Sequence, residues 1–216
     1  MELTAKELAL RFNPFLIVFA RYLSQLILLL IIFNKQFKTH LKSNHKPLQI
    51  LRGALLMITT CFMFTGLAYL QFAENISIYM IGPVITTILA ILILKEKISF
   101  TQILVVIIGL IGALIIASPN KGAFNYAVIF PFLAALCFAF FTISTKFLNT
   151  SDSNQTTLLF TAITGTILSL PFIIYFWKWP NLYDTLLMFC LGFLATAGHF
   201  LFIEALKVIN ASFAAP

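Results

Sequence analysis

Apolar residues in this chain come in long unbroken runs, separated by short polar joins, from Asn13 almost to the end. Each run approaches the roughly 20 residues that a helix needs to cross a hydrocarbon layer about 30 Å thick. The stretch 103–116 is almost continuously apolar. That excludes a membrane barrel, whose strands of about 9–11 residues alternate apolar with polar. The pattern predicts seven spans, at 13–33, 48–72, 76–94, 100–117, 124–148, 157–177 and 185–206, with 211–216 opening an eighth. The joins carry helix breakers: the polar, basic stretch 35–47, Lys95-Glu96-Lys97, Ser118-Pro119-Asn120-Lys121-Gly122, the polar stretch 149–155, and Trp179-Pro180-Asn181. The expected fold is an all-α membrane protein, a polytopic helical bundle.

Composition strengthens this reading. Hydrophobic residues make up 61% and charged residues 10%, with mean hydropathy +1.00, against about 25% charged in a soluble domain. So much apolar surface needs lipid around it. The net charge of +7 then concerns orientation and not nucleic acid, because the basic residues sit in the joins. Placing 35–52 in the cytoplasm groups Lys35, Lys38, Lys42, Lys46, Arg52, Lys95, Lys97, Lys146 and Lys207 on that side. It leaves only Lys6, Arg11, Lys121 and Lys178 opposite, as the positive-inside rule expects. Cys61, Cys137 and Cys190 fall inside apolar runs without ligand-like spacing and read as packing groups. The first residues lack the short apolar segment of a secretion signal.

Two stretches look alike. Leu51-Arg52-Gly53 opens a helix that ends in Gly66-Leu67-Ala68-Tyr69-Leu70-Gln71-Phe72-Ala73-Glu74; Leu191-Gly192 precedes a helix that ends in Phe202-Ile203-Glu204-Ala205-Leu206-Lys207-Val208-Ile209-Asn210-Ala211-Ser212. An odd number of spans between the copies inserts the second upside down, the inverted repeat of many secondary transporters.

The residues then carry a family likeness: Pro14 with Arg21, Leu51-Arg52-Gly53, Ala68-Tyr69 with Ala73-Glu74, and Pro83 within Gly82-Pro83-Val84-Ile85-Thr86-Thr87. Glu96, Gln102, Gly109 and Gly112 follow, then Ala205-Leu206-Lys207 and Ala211-Ser212 with Ala214-Ala215-Pro216. The chain resembles EamA-type members of the drug/metabolite transporter superfamily. That resemblance implies ten helices in two inverted repeats of five, a bacterial-type inner membrane, and secondary transport of a small organic metabolite by alternating access. On that pattern, residues 1–117 are a first repeat without its first helix, and 118–216 a second repeat without most of its last two. A homodimer or helper helices are the partners expected to supply such spans. The rival reading is a truncated, non-transporting membrane fragment or interaction partner.

Candidate chemistry is sparse. Arg21 lies inside a span and reads either as the partner of a substrate anion or as a structural charge reaching toward the interface. His199 shares a helix face with Gly192, Ala195 and Thr196, which turns it into the bundle. There it is either a substrate or proton site or a bond between helices. Glu204 is five positions on, at about 100° per residue, and so does not face His199. Pro83 after Gly82 predicts a kink or an exposed carbonyl, flanked by Tyr69, Asn75 and Tyr79. Phe138, Phe141 and Thr142 could line a cavity for an aromatic or amphipathic solute, or simply pack. Zinc-protease, serine-hydrolase and phosphate-loop motifs are missing from the sequence. His40 and His45 lack a third ligand. No enzyme activity, metal or cofactor is expected; lipid and a small solute are the expected partners.

Overall fold

The computed structural model describes residues 2–97, 99–117 and 126–209, and these hold helices and joins with no strand. The helices are α1 Glu2–Ala9, α2 Pro14–Phe33, the short α3 Phe37–His40, α4 Lys46–Tyr69, α5 Phe72–Tyr79, α6 Gly82–Leu94, α7 Phe100–Ala117, α8 Ile129–Leu148, α9 Asn154–Phe176 and α10 Leu182–Val208. Six stretches are long and apolar enough to cross a membrane: Pro14–Phe33, Lys46–Tyr69, Phe72–Leu94, Tyr126–Leu148, Asn154–Phe176 and Leu182–Val208. That is six among the described residues, so the expected count of seven is not confirmed. The stretch expected at 100–117 forms α7, an apolar helix of 18 residues. The turn at 118–122 and the expected eighth opening at 211–216 lie outside the described residues.

Local chemistry sets the helix starts. Asn13 accepts a hydrogen bond from the Phe15 amide at 3.0 Å, with Pro14 in the first turn. Ser153 accepts from Thr156 at 3.2 Å to open α9. Asn181 accepts from Asp184 at 2.8 Å to open α10. These are the side-chain caps that orphan amides at helix starts require. The kink expected at Gly82-Pro83 is a full break: α5 ends at Tyr79 and α6 begins at Gly82, with Pro83 in its first turn, where its missing N–H costs nothing.

Two helix ends are closed in the same manner at opposite faces of the bundle. Lys6 Nζ reaches the carbonyls of Leu67 and Leu70 at the end of α4, at 2.5 and 3.0 Å. Lys146 Nζ reaches those of Leu206 and Ile209 at the end of α10, at 2.7 and 2.6 Å. A cation on unpaired terminal carbonyls satisfies acceptors and complements the helix dipole.

The core forms where α4 packs on α8 and α9, and α2 on α9 and α10. Two glycines set the spacing. A Cβ at Gly53 of α4 would stand 2.7 Å from Thr164 Cβ of α9. One at Gly192 of α10 would stand 2.9 Å from the backbone nitrogen of Gln25 on α2. In lipid, where apolar surface has little reason to leave its solvent, such close approach is what holds helices together. Polar ties close the ends. Arg11 pairs with Asp184 at 2.8 Å, while at the opposite end Asp152 accepts from Ser43, Gln49 and the Asn44 amide.

Candidate functional site

The seven acidic residues are Glu2, Glu7, Glu74, Glu96, Asp152, Asp184 and Glu204. All lie in joins, in α1, or in the end turns of spanning helices. Two arginines do the opposite: Arg21 of α2 and Arg52 of α4 are 1% and 0% exposed inside the bundle. The sequence places Arg52 at the opening of the span 48–72, yet its charge was counted with the basic join. That is corrected here, because α4 starts at Lys46 and carries Arg52 almost two turns in, against α8 and α9.

Arg52 is held by two of its three nitrogens, and its Nη2 has no partner. Its Nε donates to Thr145 at 2.7 Å, and its Nη1 to Thr161 at 2.5 Å and to the Thr157 carbonyl at 3.4 Å. The guanidinium lies 4.4 Å from the centre of the Phe141 ring, a favourable cation–π distance.

Arg21 is held more loosely. Its Nη1 reaches Thr60 at 3.4 Å, its Nη2 meets His199 Nε2 at 2.7 Å, and its Nε has no partner. The guanidinium lies 4.5 Å from the Tyr22 ring centre. It therefore does not reach toward the interface. A guanidinium only donates, so His199 Nε2 is the acceptor and its ring carries no positive charge in this arrangement. His199 thus points into the bundle, as its small-residue face predicts. Glu204 pairs elsewhere: with Asn154 through a short hydrogen bond and with Lys207 at 3.5 Å.

Arg21 and His199 border a cavity of about 80 Å³ between α2, α4, α5, α8 and α10, with Thr59, Thr60, Met63, Tyr79 and Phe138 also in its wall. Tyr79 and Phe138 stand 5.8 Å apart, and Phe138 packs in turn on Phe141 at 5.4 Å and Phe202 at 5.6 Å. His199 meets the edge of Phe141 at 6.0 Å. The lining thus combines a cation and hydroxyls with aromatic rings. A larger cavity of about 140 Å³ beside α2 and α10 is lined almost wholly by carbon, with Trp177, Phe19 and Met188 in its walls. Ser24 and Thr185 bring hydroxyl groups to its lining, which holds no charged residue among those described.

Of the residues singled out from sequence, Arg21, His199, Tyr79 and Phe138 converge here, and Phe141 stands behind them. Thr142 is buried and donates to the Phe138 carbonyl of its own helix at 2.9 Å. Asn75 is buried, its amide 3.4 Å from the Met63 carbonyl. Pro83 shapes the start of α6 and is not in the cavity wall. Tyr69 is 68% exposed and stacks on Phe130 at 6.3 Å. Thr59, Thr60 and Met63 were missed; the adjacent threonines inside an apolar span were the available signal. No three His, Cys, Asp or Glu cluster to hold a metal among the described residues.

Residues 3–118 match the model of the EamA-like transporter family. The chain belongs to that family. Several relatives align with it over the whole chain. The S-adenosylmethionine uptake transporter of Rickettsia prowazekii is 28% identical over 100% of this chain and 73% of its own length; that of Rickettsia bellii is 29% identical over 100% and 74%. The riboflavin transporter of Vibrio cholerae is 29% identical over 77% of this chain and 57% of its own length. A crystal structure shares the fold with TM-score 0.73 at 16% identity, over 100% of this chain and 81% of that one. This EamA-like protein is a multi-pass inner-membrane protein and a transporter of small metabolites, a role that calls for no catalytic constellation.

Proposed function

We propose that the protein carries a small organic metabolite by alternating access, with the cavity beside Arg21 and His199 as its substrate site. The site lies between two inverted repeats, 1–117 and 118–216. The carrying observation is the cavity itself: a cationic and aromatic pocket bordered by α2, α4 and α5 of the first repeat and by α8 and α10 of the second. Matched contacts support the repeat. Lys6 of α1, closing the end of α4, corresponds to Lys146 of α8, closing the end of α10; the Asn13 cap corresponds to the Ser153 cap, and the Gly53–Thr164 seam to the Gly192–Gln25 seam. Repeats of opposite orientation can open the same site to either side in turn.

S-adenosylmethionine is the first solute to test, because the relatives named for it align along the whole chain; riboflavin is the second. Purified protein in liposomes preloaded with unlabelled solute is offered the labelled solute outside. Saturable countertransport supports the reading. Flux that rises linearly with concentration, equal to that of empty liposomes, contradicts it.

A further inference from the structure

We propose that the solute carries a carboxylate that docks on Arg21, and that His199 is the placeholder it displaces. This deepens the reading of the cavity as a substrate site. Three observations carry it. First, a buried guanidinium needs a counter-charge or a full set of acceptors, because desolvation of a charge is costly. Arg21 has neither: among the described residues no acid pairs with it, and its Nε is unpartnered. Arg52, the other buried cation, has no acid either, so two positive charges are buried in the bundle without a protein anion. Second, the acceptor that Arg21 does have is a neutral imidazole nitrogen at 2.7 Å, at the wall of an open cavity. A carboxylate offers two charged oxygens to the fork of a guanidinium, a stronger match than one ring nitrogen. Third, Tyr79 and Phe138 add aromatic rings to the same lining, so the body of the solute is planar or apolar beside its acid.

Displacement leaves a trace on His199. Its Nε2 loses the Arg21 donor and gains the space beside the bound carboxylate. The chain has three histidines, and His40 and His45 lie outside the spanning stretches, so the third is separable.

The test uses three probes of one shape: 3-phenylpropionate, its uncharged amide, and phenethylammonium. Binding to the purified full chain in nanodiscs is measured by equilibrium dialysis, with the ring nitrogens of ¹⁵N-labelled histidine followed by NMR. His199→Asn assigns the signal. The acid is expected to bind about tenfold or more tighter than the amide or the ammonium, the gap expected of a charge-assisted pair, and to move the His199 Nε2 signal alone. Arg21→Gln should erase the preference for the acid, and Arg21→Lys should keep part of it. Equal behaviour of acid and amide in the wild-type protein, whether both bind or neither does, overturns the assignment and needs no variant to fold. Saturable countertransport of a solute without a carboxylate alongside that result would leave the transporter reading standing and the carboxylate reading refuted.

Discussion

Arg21 and Arg52 are both buried guanidinium groups, both stacked on an aromatic ring, both on helices at the centre of the bundle. Their surroundings differ. Arg52 bridges α4 to α8 and α9 through two threonine hydroxyls and a carbonyl, and no cavity wall includes it among those described. Arg21 has one short contact, to a histidine, one long contact, to Thr60, and a cavity beside it. Burial of a charge is therefore not itself a functional mark. Each keeps one unpartnered nitrogen, Nε of Arg21 and Nη2 of Arg52, so the mark is a loosely held buried charge next to space. Arg52 works as a fastener, and Arg21 is held ready for a group that the protein does not supply.

The comparison can be broken by truncation. Arg52→Ala empties a packed site and should cost about 2–4 kcal/mol of unfolding free energy, in the range of buried large-to-small changes. Arg52→Met should restore most of it, because Thr145 and Thr161 already donate to the carbonyls of Phe141 and Thr157 and are left with no orphan donor. Arg21→Ala, beside an existing cavity, should cost less than half as much. Reversible denaturation in mixed micelles measures all three; an equal loss at both positions would erase the distinction.

The two glycine seams sharpen it. Gly192→Ala pushes a methyl group against the backbone of α2, at Gln25 and the Arg21 carbonyl. Gly53→Ala pushes only against the Thr164 side chain, which has rotamers to spare. Each should cost about 1–3 kcal/mol, Gly192→Ala at the upper end. Only Gly192→Ala should also weaken solute binding, since it displaces the helix that carries Arg21. A binding constant unchanged in Gly192→Ala, at full occupancy of the folded state, would uncouple that seam from the site.

A smaller effect belongs to the polar tie at Asp152. Partial burial pushes its carboxyl up, but hydrogen bonds from Ser43, Gln49 and the Asn44 amide, with His45 nearby, outweigh that and hold it below the ordinary value of 3.8. A depressed carboxylate contributes stability above its unfolded value and loses it as pH falls through the lower folded one. The tie should therefore hold at neutral pH and loosen only below about pH 4. Asp152→Asn should flatten stability across that acid range. A loss centred near pH 6 would point to another group. Tyr69→Ala, on the surface, should change neither stability beyond about 0.5 kcal/mol nor binding, which thermal unfolding and dialysis check together.

The spans were legible because hydropathy over a membrane's thickness is a strong, one-dimensional signal. Arg21 and His199 were each legible for a related reason: an ionisable group inside a span stands out. Their contact was not, since the residues are far apart in sequence and meeting depends on how α2 and α10 rotate about Gly192. Arg52 was placed at the opening of its helix but counted with the basic join, because its burial depends on how α8 and α9 pack over that turn, which the order of residues does not show. Tyr69 looks the same in sequence whether its helix turns it inward or out; here it turns out. Thr59 and Thr60 were overlooked because lone hydroxyls are common in spans, where they bond back to their own helix, as both do here.

Countertransport of labelled S-adenosylmethionine in liposomes, compared between Arg21→Gln and Arg52→Met at matched amounts of folded protein, tests the contrast between the two arginines most directly. The account predicts saturable exchange in Arg52→Met and its loss in Arg21→Gln. Exchange that survives in Arg21→Gln and disappears in a folded Arg52→Met would reverse the assignment of the two buried charges.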